Sequence, residues 1–181
     1  MVTEKFVITG GPGTGKSTLL RELARRGYTT IDEAARPIKE EQRLRKEQGR
    51  TYILPENDNA AFQRLIYVRQ QELERGCYGT SFLDRGLVDN IGYCRRFGTP
   101  VADELHSLCK AADYAGVFLL DPVPAHLYQN DGARDETPEE SALLSAHLRK
   151  AYEDYGFKVI TVPFVEERAQ HVLREVARWY A

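Results

Sequence analysis

The chain is poor in cysteine, and its few cysteines do not cluster. Cys77, Cys94 and Cys109 are odd in number and form no C-x-x-C pair. This spacing argues against both a disulfide framework and a zinc knuckle, and a reducing compartment fits it best. The four histidines also form no pair at metal-ligand spacing. We therefore expect a fold held together without disulfides or zinc.

Long apolar runs and an excess of positive charge are lacking as well. The longest apolar run, 115–120, is far too short to span a bilayer, and no apolar signal segment precedes the first strand. The 25 basic and 27 acidic residues leave a formal net charge of -2. Non-specific nucleic-acid binding needs an overall basic field, which this composition does not provide. A local basic patch is still compatible with it. We expect a soluble, cytoplasmic protein with no membrane partner, and nucleic acid is not favoured as a ligand.

One glycine-rich motif carries most of the functional information. Residues 10–17 read G-G-P-G-T-G-K-S and fit the P-loop pattern G-x-x-x-x-G-K-[ST], between an apolar strand and a helical pattern. The glycines let successive N–H groups surround an anion, and the helix N-terminus adds partial positive charge. Lys16 is expected to reach the β- and γ-phosphates, and Ser17 to bind Mg²⁺. The residues assigned to nucleotide binding are Gly11, Pro12, Gly13, Thr14, Gly15, Lys16, Ser17 and Thr18.

The rest of the sequence predicts an α/β fold. Short apolar segments alternate with helical patterns, which is typical of a parallel sheet with helices on both faces. The 181 residues suit one domain spanning 1–181. The predicted strands are 5–9, 28–31, 79–83, 116–120 and 157–162. The buried stripe predicted for the last helix is Val165, Ala169, Val172, Leu173, Val176 and Tyr180.

The third predicted strand ends in an acidic residue followed by arginine. Asp84 is placed to hold the shell of Mg²⁺, either directly or through water, as in a Walker B strand. Motor ATPases usually carry a water-activating glutamate next, but here the residue is Arg85, whose guanidinium cannot act as a base. We therefore expect a site that steers phosphoryl groups or binds an acceptor rather than one built for hydrolysis.

The second predicted strand ends in I-D-E-A-A-R, on the side where an acceptor would bind. Either Asp32 or Glu33 has the chemistry to deprotonate an acceptor hydroxyl. Glu33 is preferred, because Arg36 lies about one helical turn further on and shares its face, where it would orient the carboxylate or bind acceptor. Asp89 is a further candidate for contact with acceptor hydroxyls.

Two charged segments are expected on the surface. Residues 131–138 are rich in charges and helix breakers, and they suit a lid over the phosphates. In that lid, Arg134 would neutralise negative charge on the transferred group, as an arginine finger supplied in cis does. Residues 39–50 are expected to form a solvated helix face, with a cap on the acceptor side as the alternative.

The motifs together resemble a known family. G-G-P-G-T-G-K-S, I-D-E-A-A-R, F-L-D-R-G and N-D-G-A-R-D-E look like the small P-loop ATPases of the AAA type that are similar to the nicotinamide riboside kinase domain. That group lies within the nucleoside and nucleotide kinase superfamily. The resemblance implies a three-layer sandwich with a five-stranded parallel sheet in the order 2-3-1-4-5, and Mg-ATP as donor. It also implies a site lined by Glu33, Arg36, Asp84, Arg85 and Arg134.

These observations favour an enzyme that moves the γ-phosphoryl of Mg-ATP to a small hydroxyl- or phosphate-bearing acceptor. Lys16, Glu33, Asp84 and Arg134 are the expected catalytic residues, with Ser17 and Asp84 as the metal ligands. A regulatory NTPase, whose ATP or GTP state is read by a protein partner, is the first alternative. A polynucleotide 5′-hydroxyl kinase is the second, and it would require a clustered basic groove.

Overall fold

The computed structural model describes residues 3–124 and 137–180. One or two helices follow each strand along the chain, in the βαβ pattern that the sequence predicts. The strands are β1 Glu4–Thr9, β2 Thr29–Ile31, β3 Thr80–Asp84, β4 Tyr114–Leu120 and β5 Val159–Val162. The helices are α1 Lys16–Arg25, α2 Ala35–Glu47, α3 Pro55–Glu74, α4 Asp89–Phe97, α5 Asp103–Ala111, α6 Pro138–Asp154 and α7 Arg168–Arg178.

The strands form one parallel sheet in the order β2-β3-β1-β4-β5. Parallel neighbours need crossover connections, and the helices between the strands supply them. The predicted fold, a three-layer sandwich with the order 2-3-1-4-5, is confirmed. Because all strands run the same way, the carboxyl ends of β1, β2 and β3 meet at one edge, where ligands bind in open α/β sheets.

Each face of the sheet has its own apolar core. On one face, Phe6, Ile8 and Phe82 pack with residues of α1 and α7. On the other face, Val7 and Leu83 pack with residues of α3 to α6. Alternate residues of β1 therefore point to opposite cores, and burial on both faces fixes the register of the central strand.

The prediction of a buried stripe on the last helix is wrong for two residues. Val165 is 40% exposed and Tyr180 is 56% exposed. The helix spans only Arg168–Arg178, so Val165 lies in the preceding loop and Tyr180 beyond the helical end. Val165 and Tyr180 match the helical spacing of the apolar residues, but neither lies within the helix, so neither side chain reaches the core.

The two predicted surface segments have different outcomes. Residues 39–50 lie mostly on the exposed face of α2 and just beyond it, as predicted, although Gln42 is buried and accepts a hydrogen bond from Ile53 N. Of the predicted lid at 131–138, Arg134 and the rest of 131–136 lie outside the described residues. Thr137 is the N-cap of α6, and its side chain accepts from Glu140 N, so the end of the predicted lid belongs to a capped helix. Among the described helices, none combines the length and apolar character needed to cross a membrane.

Candidate active site

The P-loop connects β1 to α1 through a tightly turned backbone. Gly13 has φ 77° and Gly15 has φ 87°, a region that residues with a Cβ rarely adopt. Gly15 is the N-cap of α1, so the loop runs directly into the helix N-terminus. The side chain of Thr14 is buried and donates to Gly11 O at 2.9 Å, which closes the loop on itself. This geometry suits an anion held by backbone amides.

Lys16 is folded back onto the loop that it belongs to. Its Nζ donates to Gly10 O and to Gly11 O, both at 2.9 Å. Burial is the main cause that lowers the pKa of Lys16 from 10.5 to about 7, and the nearby Arg85 guanidinium lowers it further. The Lys16 amine is thus held by neutral carbonyls, at a place where a phosphate would stabilise its charged form far better.

Helix α6 packs directly against the P-loop, and sequence reasoning did not foresee this contact. Ser145 Oγ accepts from Gly11 N at 2.9 Å, and Ser141 Oγ donates to Pro12 O at 2.7 Å. A Cβ on Gly11 would lie 2.2 Å from Ser141 Oγ and 2.4 Å from Ser141 O. Glycine at position 11 is therefore required by close packing, since the P-loop pattern itself allows any residue there.

Asp84 ends β3 beside the P-loop, where the sequence placed a metal-binding carboxylate. Its side chain is buried, and Oδ1 has no hydrogen-bond partner among the described residues. Burial raises the pKa of Asp84, while Lys16 and Arg85 act in the opposite direction. A buried carboxylate oxygen without a partner is costly for folding alone. A hard cation, however, would use it.

The metal site predicted at Ser17 and Asp84 is therefore chemically reasonable but incomplete within the protein. Ser17, in the first turn of α1, is exposed. Within the described ranges, no group of three or more His, Cys, Asp or Glu side chains is arranged to hold a metal ion. A magnesium ion here would take most of its ligands from phosphate oxygens and water, as Mg²⁺ commonly does.

Glu33 and Arg85 form an ion pair between the ends of β2 and β3. Arg85 Nε donates to Glu33 Oε1 at 3.0 Å. Burial alone would raise the pKa of Glu33, but Arg85, Lys16 and Arg36 together hold it below its usual value. The Glu33 carboxylate is thus ionised, and Arg85 orients it, whereas the sequence favoured Arg36 for this task. The role of Glu33 as a proton acceptor stays a prediction.

The Arg85 guanidinium also contacts a second carboxylate, a P-loop carbonyl and an aromatic ring. Its Nη1 donates to Asp89 Oδ1 at 3.2 Å and to Gly10 O at 3.4 Å, and its guanidinium lies 5.1 Å from the centre of the Tyr93 ring. Although burial opposes the charge, Tyr93 and the neighbouring carboxylates raise the pKa of Arg85 well above its usual value. Arg85 is therefore a fixed cation beside the P-loop.

Asp89 lies in the protein interior, away from solvent. Only 2% of the residue is exposed. Oδ1 accepts from Thr9 Oγ1 at 2.6 Å and from Arg85, and Oδ2 accepts from Gly86 N at 3.0 Å and from Tyr152 Oη at 2.5 Å. The prediction that Asp89 contacts acceptor hydroxyls does not fit this burial. Because both oxygens of Asp89 already accept hydrogen bonds from protein groups, the carboxylate serves to hold Arg85 in place.

Two further predicted residues are exposed to solvent. Asp32 and Arg36 lie on either side of Glu33 in the sequence and are more accessible to solvent than the buried Asp84 and Asp89. Sequence reasoning missed Tyr93, which lies one helical turn after Asp89, a spacing from which its position beside Arg85 was accessible. It also missed Thr9, Tyr152, Ser141 and Ser145, which reach the site from distant parts of the chain. No local pattern marks those four.

Comparison with known proteins agrees with this fold. A family model described as an AAA domain matches residues 5–170. No functionally curated protein matches the sequence. Among solved structures, the NadR protein in complex with NR superposes with a TM-score of 0.69 at 18% identity, covering 98% of this chain and 51% of that one. The present chain thus spans about half the length of NadR.

Two further solved structures match along nearly their whole length. The deoxyadenosine kinase from M. mycoides, with products dCMP and dCDP bound, has a TM-score of 0.65 at 15% identity, with 96% of this chain and 98% of that chain covered. Thymidylate kinase from Candida albicans has a TM-score of 0.61 at 15% identity, with 97% and 91% covered. At such identities the likeness establishes a shared fold.

Proposed function

The chain belongs to the AAA domain family matched over residues 5–170, and on this basis we propose that it is an ATP-dependent phosphotransferase. It transfers the γ-phosphoryl group of Mg-ATP to a hydroxyl or phosphate group of a small acceptor. The P-loop amides and Lys16 bind the phosphates, as in other P-loop enzymes. The solved structures with a similar fold include a deoxyadenosine kinase and a thymidylate kinase, which are enzymes of the proposed class.

The observation that carries the proposal is the Glu33–Arg85 ion pair beside the P-loop. A hydrolytic motor needs a base aimed at water next to the strand-end aspartate, and here an arginine occupies that position. The ionised Glu33 lies instead at the neighbouring strand end, on the acceptor side. This arrangement suits a carboxylate that receives a proton from an acceptor and a guanidinium that fixes its direction.

The proposed transfer step forms one bond and breaks one bond at the γ-phosphorus. The acceptor oxygen forms a bond to the γ-phosphorus as the bond between that phosphorus and the β–γ bridging oxygen breaks, and ADP is released. A hydroxyl acceptor gives its proton to Glu33. Ser17 and Asp84 would hold Mg²⁺, which would supply positive charge to the phosphates of the nucleotide. Arg134, proposed to act from the segment outside the described residues, would neutralise charge on the transferred group.

A transfer screen with labelled ATP tests the proposal. Nucleosides, nucleotides, small alcohols and small phosphates are offered as acceptors, and labelled product is separated from inorganic phosphate. Transfer to one acceptor class supports the proposal. Acceptor-independent release of phosphate that only a protein partner accelerates would favour the regulatory NTPase, and labelling confined to oligonucleotides would favour the polynucleotide kinase.

Two variants test whether Lys16 and Glu33 have separate roles in nucleotide binding and in transfer. Lys16→Ala is expected to abolish nucleotide-dependent turnover, whereas Glu33→Gln should bind Mg-ATP normally and lose roughly 100-fold or more in transfer rate. Asp32→Asn is the matched control, because Asp32 is the neighbouring carboxylate in the sequence. Equal loss of ATP binding in Lys16→Ala and Glu33→Gln would contradict this division, as would equal loss of transfer in Asp32→Asn and Glu33→Gln.

A further inference from the structure

Arg168, at the start of α7, joins three separate segments through its guanidinium. Nη1 donates to Thr14 O of the P-loop at 2.5 Å, Nη2 donates to Asp121 O after β4 at 2.7 Å, and Nε donates to Pro163 O after β5 at 3.0 Å. The residue is 8% exposed, and its guanidinium lies 4.8 Å from the centre of the Phe164 ring. No carboxylate takes part in these hydrogen bonds, so backbone carbonyls are the groups that accept from the buried charge.

The contact with Thr14 fixes the direction of one peptide group. A trans peptide is planar, and its C=O and N–H point in opposite directions. Because Arg168 holds Thr14 O on the outside of the loop, the N–H of Gly15 in the same peptide points to the inside. Arg168 Nη1 also lies 3.4 Å from where a Cβ of Gly15 would be, so the guanidinium packs closely against this peptide.

A second peptide of the loop is held in the same way from another helix. Ser141 Oγ donates to Pro12 O at 2.7 Å, which turns the N–H of Gly13 away from α6. The peptide between Gly10 and Gly11 has the opposite orientation, because Gly10 O accepts from Lys16 while Gly11 N donates to Ser145. The direction of each amide therefore depends on which neighbour holds its carbonyl.

We propose that Arg168 is a positioning residue of the nucleotide site, which keeps the Gly15 N–H directed at the bound phosphates without touching the nucleotide itself. A buried guanidinium is an expensive way to join separate segments, since an apolar side chain would do so without desolvating a charge. Its value lies in donating along three fixed directions at once, which an ammonium cannot reproduce. The inference rests only on the nucleotide-binding part of the proposed function.

The test measures both affinity and the state of one amide. Arg168→Met keeps most of the length of the side chain and removes the donors, and Arg178→Met on the same helix is the control, since Arg178 is exposed and pairs with Glu175. Mg-ADP is the probe, with Mg-GDP in parallel, and binding is followed by calorimetry. We expect affinity to fall roughly 10-fold or more in Arg168→Met, the loss typical of one charge-assisted hydrogen bond, and to stay within about twofold in Arg178→Met.

The amide proton of Gly15, observed by NMR, provides a readout that a merely structural role would not move. In the wild type its resonance should shift downfield when Mg-ADP saturates the site, because the N–H then donates to a phosphate. In Arg168→Met this shift should be reduced at saturation. Arg168→Lys is the second variant should Arg168→Met fail to fold, and it should show the same reduced shift.

Three results would overturn the proposal. The first is an Arg168→Met protein that binds Mg-ADP as tightly as the wild type, and the second is an unchanged Gly15 shift at saturation in either variant. The third is a wild-type Gly15 amide that does not respond to Mg-ADP at all. None of these measurements involves phosphoryl transfer. A chain that bound Mg-ADP and phosphorylated no acceptor would refute the proposed function and leave this inference standing.

Discussion

Arg85 Nε lies 3.0 Å from Glu33 Oε1, and this contact joins the ends of β3 and β2. The backbone of Arg85 has φ 73°. Among the residues that the structure describes, no other non-glycine residue has a positive φ. Its N–H is nevertheless satisfied by Ile8 O at 3.1 Å, and its carbonyl accepts from Gln70. A left-handed arginine held at both backbone groups indicates strain kept in place by the surrounding structure.

The backbone strain at Arg85 can be separated from the loss of its charge. Arg85→Ala and Arg85→Gly both leave Glu33 and Asp89 without their guanidinium, so both should be less stable than the wild type. Only alanine keeps a Cβ in the left-handed region, and we therefore expect Arg85→Gly to be more stable than Arg85→Ala by about 1 kcal/mol. Urea denaturation measures the difference. An alanine variant as stable as the glycine variant would show that the backbone is not strained at this position.

The strand ends could be predicted because the information that places them is local. The P-loop identifies the end of β1, and the apolar segments before Glu33 and Asp84 identify the ends of β2 and β3. In a parallel sheet these ends share an edge, so the sequence alone brings Lys16, Glu33 and Asp84 together. The sheet order, which the family resemblance implied, is confirmed as well.

The role of Asp89 could not be predicted, because its environment is made by distant residues. Thr9 and Tyr152 lie 80 and 63 positions away in the sequence. An aspartate that begins a helix usually faces solvent or a ligand, and no local pattern distinguishes it from one buried under four donors. The contact between Arg168 and the P-loop could not be predicted for the same reason, since Thr14 lies 154 positions from Arg168.

Asp84 is expected to cost the unliganded protein stability. Burial raises the pKa of Asp84 above its unfolded value, so its stabilising contribution belongs to the protonated form and is lost as pH rises through the folded pKa. Asp84→Asn should therefore be more stable than the wild type at pH 7 without ligand, and the difference should shrink under acid conditions. Urea denaturation at several pH values measures this, with Asp121→Asn, just after β4, as the control.

The same variant should lose function as it gains stability. Without the carboxylate that would face Mg²⁺, we expect Asp84→Asn to bind Mg-ATP at least roughly tenfold more weakly. Calorimetry with and without magnesium separates the metal-dependent part of the affinity. A variant that bound Mg-ATP as the wild type does would contradict the assignment of Asp84 as a metal ligand. A variant that was destabilised at pH 7 would contradict the predicted cost of burying the Asp84 carboxylate.

Nucleotide binding should be accompanied by uptake of a proton on Lys16. Burial lowers the pKa of Lys16 to about 7, so at pH 8 the unliganded amine is mostly neutral. Phosphate oxygens favour the ammonium, which raises the pKa again in the complex. Mg-ATP binding at pH 8 should therefore take up close to one proton, and the uptake should fall to about half a proton near pH 7 and towards zero at lower pH. Calorimetry in buffers of different ionisation enthalpy measures the number of protons.

Lys16→Met is the control for this measurement, because it removes the titrating amine. If it still binds Mg-ATP weakly, no comparable uptake should remain. Wild-type binding at pH 8 with the same heat in every buffer would mean that Lys16 is already charged in the free protein. Its hydrogen bonds to Gly10 O and Gly11 O would then be those of an ammonium.

The contact between Gly11 and α6 predicts that two glycines will respond very differently to the same change. A Cβ on Gly11 would lie 2.4 Å from Ser141 O, a backbone atom that moves only if the helix moves. Gly27, in contrast, has φ 89°, and a Cβ added there would meet no atom within 4 Å. Gly11→Ala should cost about 3 kcal/mol or more of unfolding free energy, and Gly27→Ala only about 1 kcal/mol.

The Gly11 variant should also show where the strain is relieved. Because Ser141 and Ser145 lie one turn apart on α6, displacement of that helix breaks both of its hydrogen bonds to the loop. Ser141→Gly cannot rescue Gly11→Ala, since the clash with the backbone oxygen remains after the hydroxyl is removed. Urea denaturation of the single and double variants tests this directly. Full rescue by Ser141→Gly would mean that the side chain alone opposes the added methyl group, and that α6 is not fixed against the P-loop through its backbone.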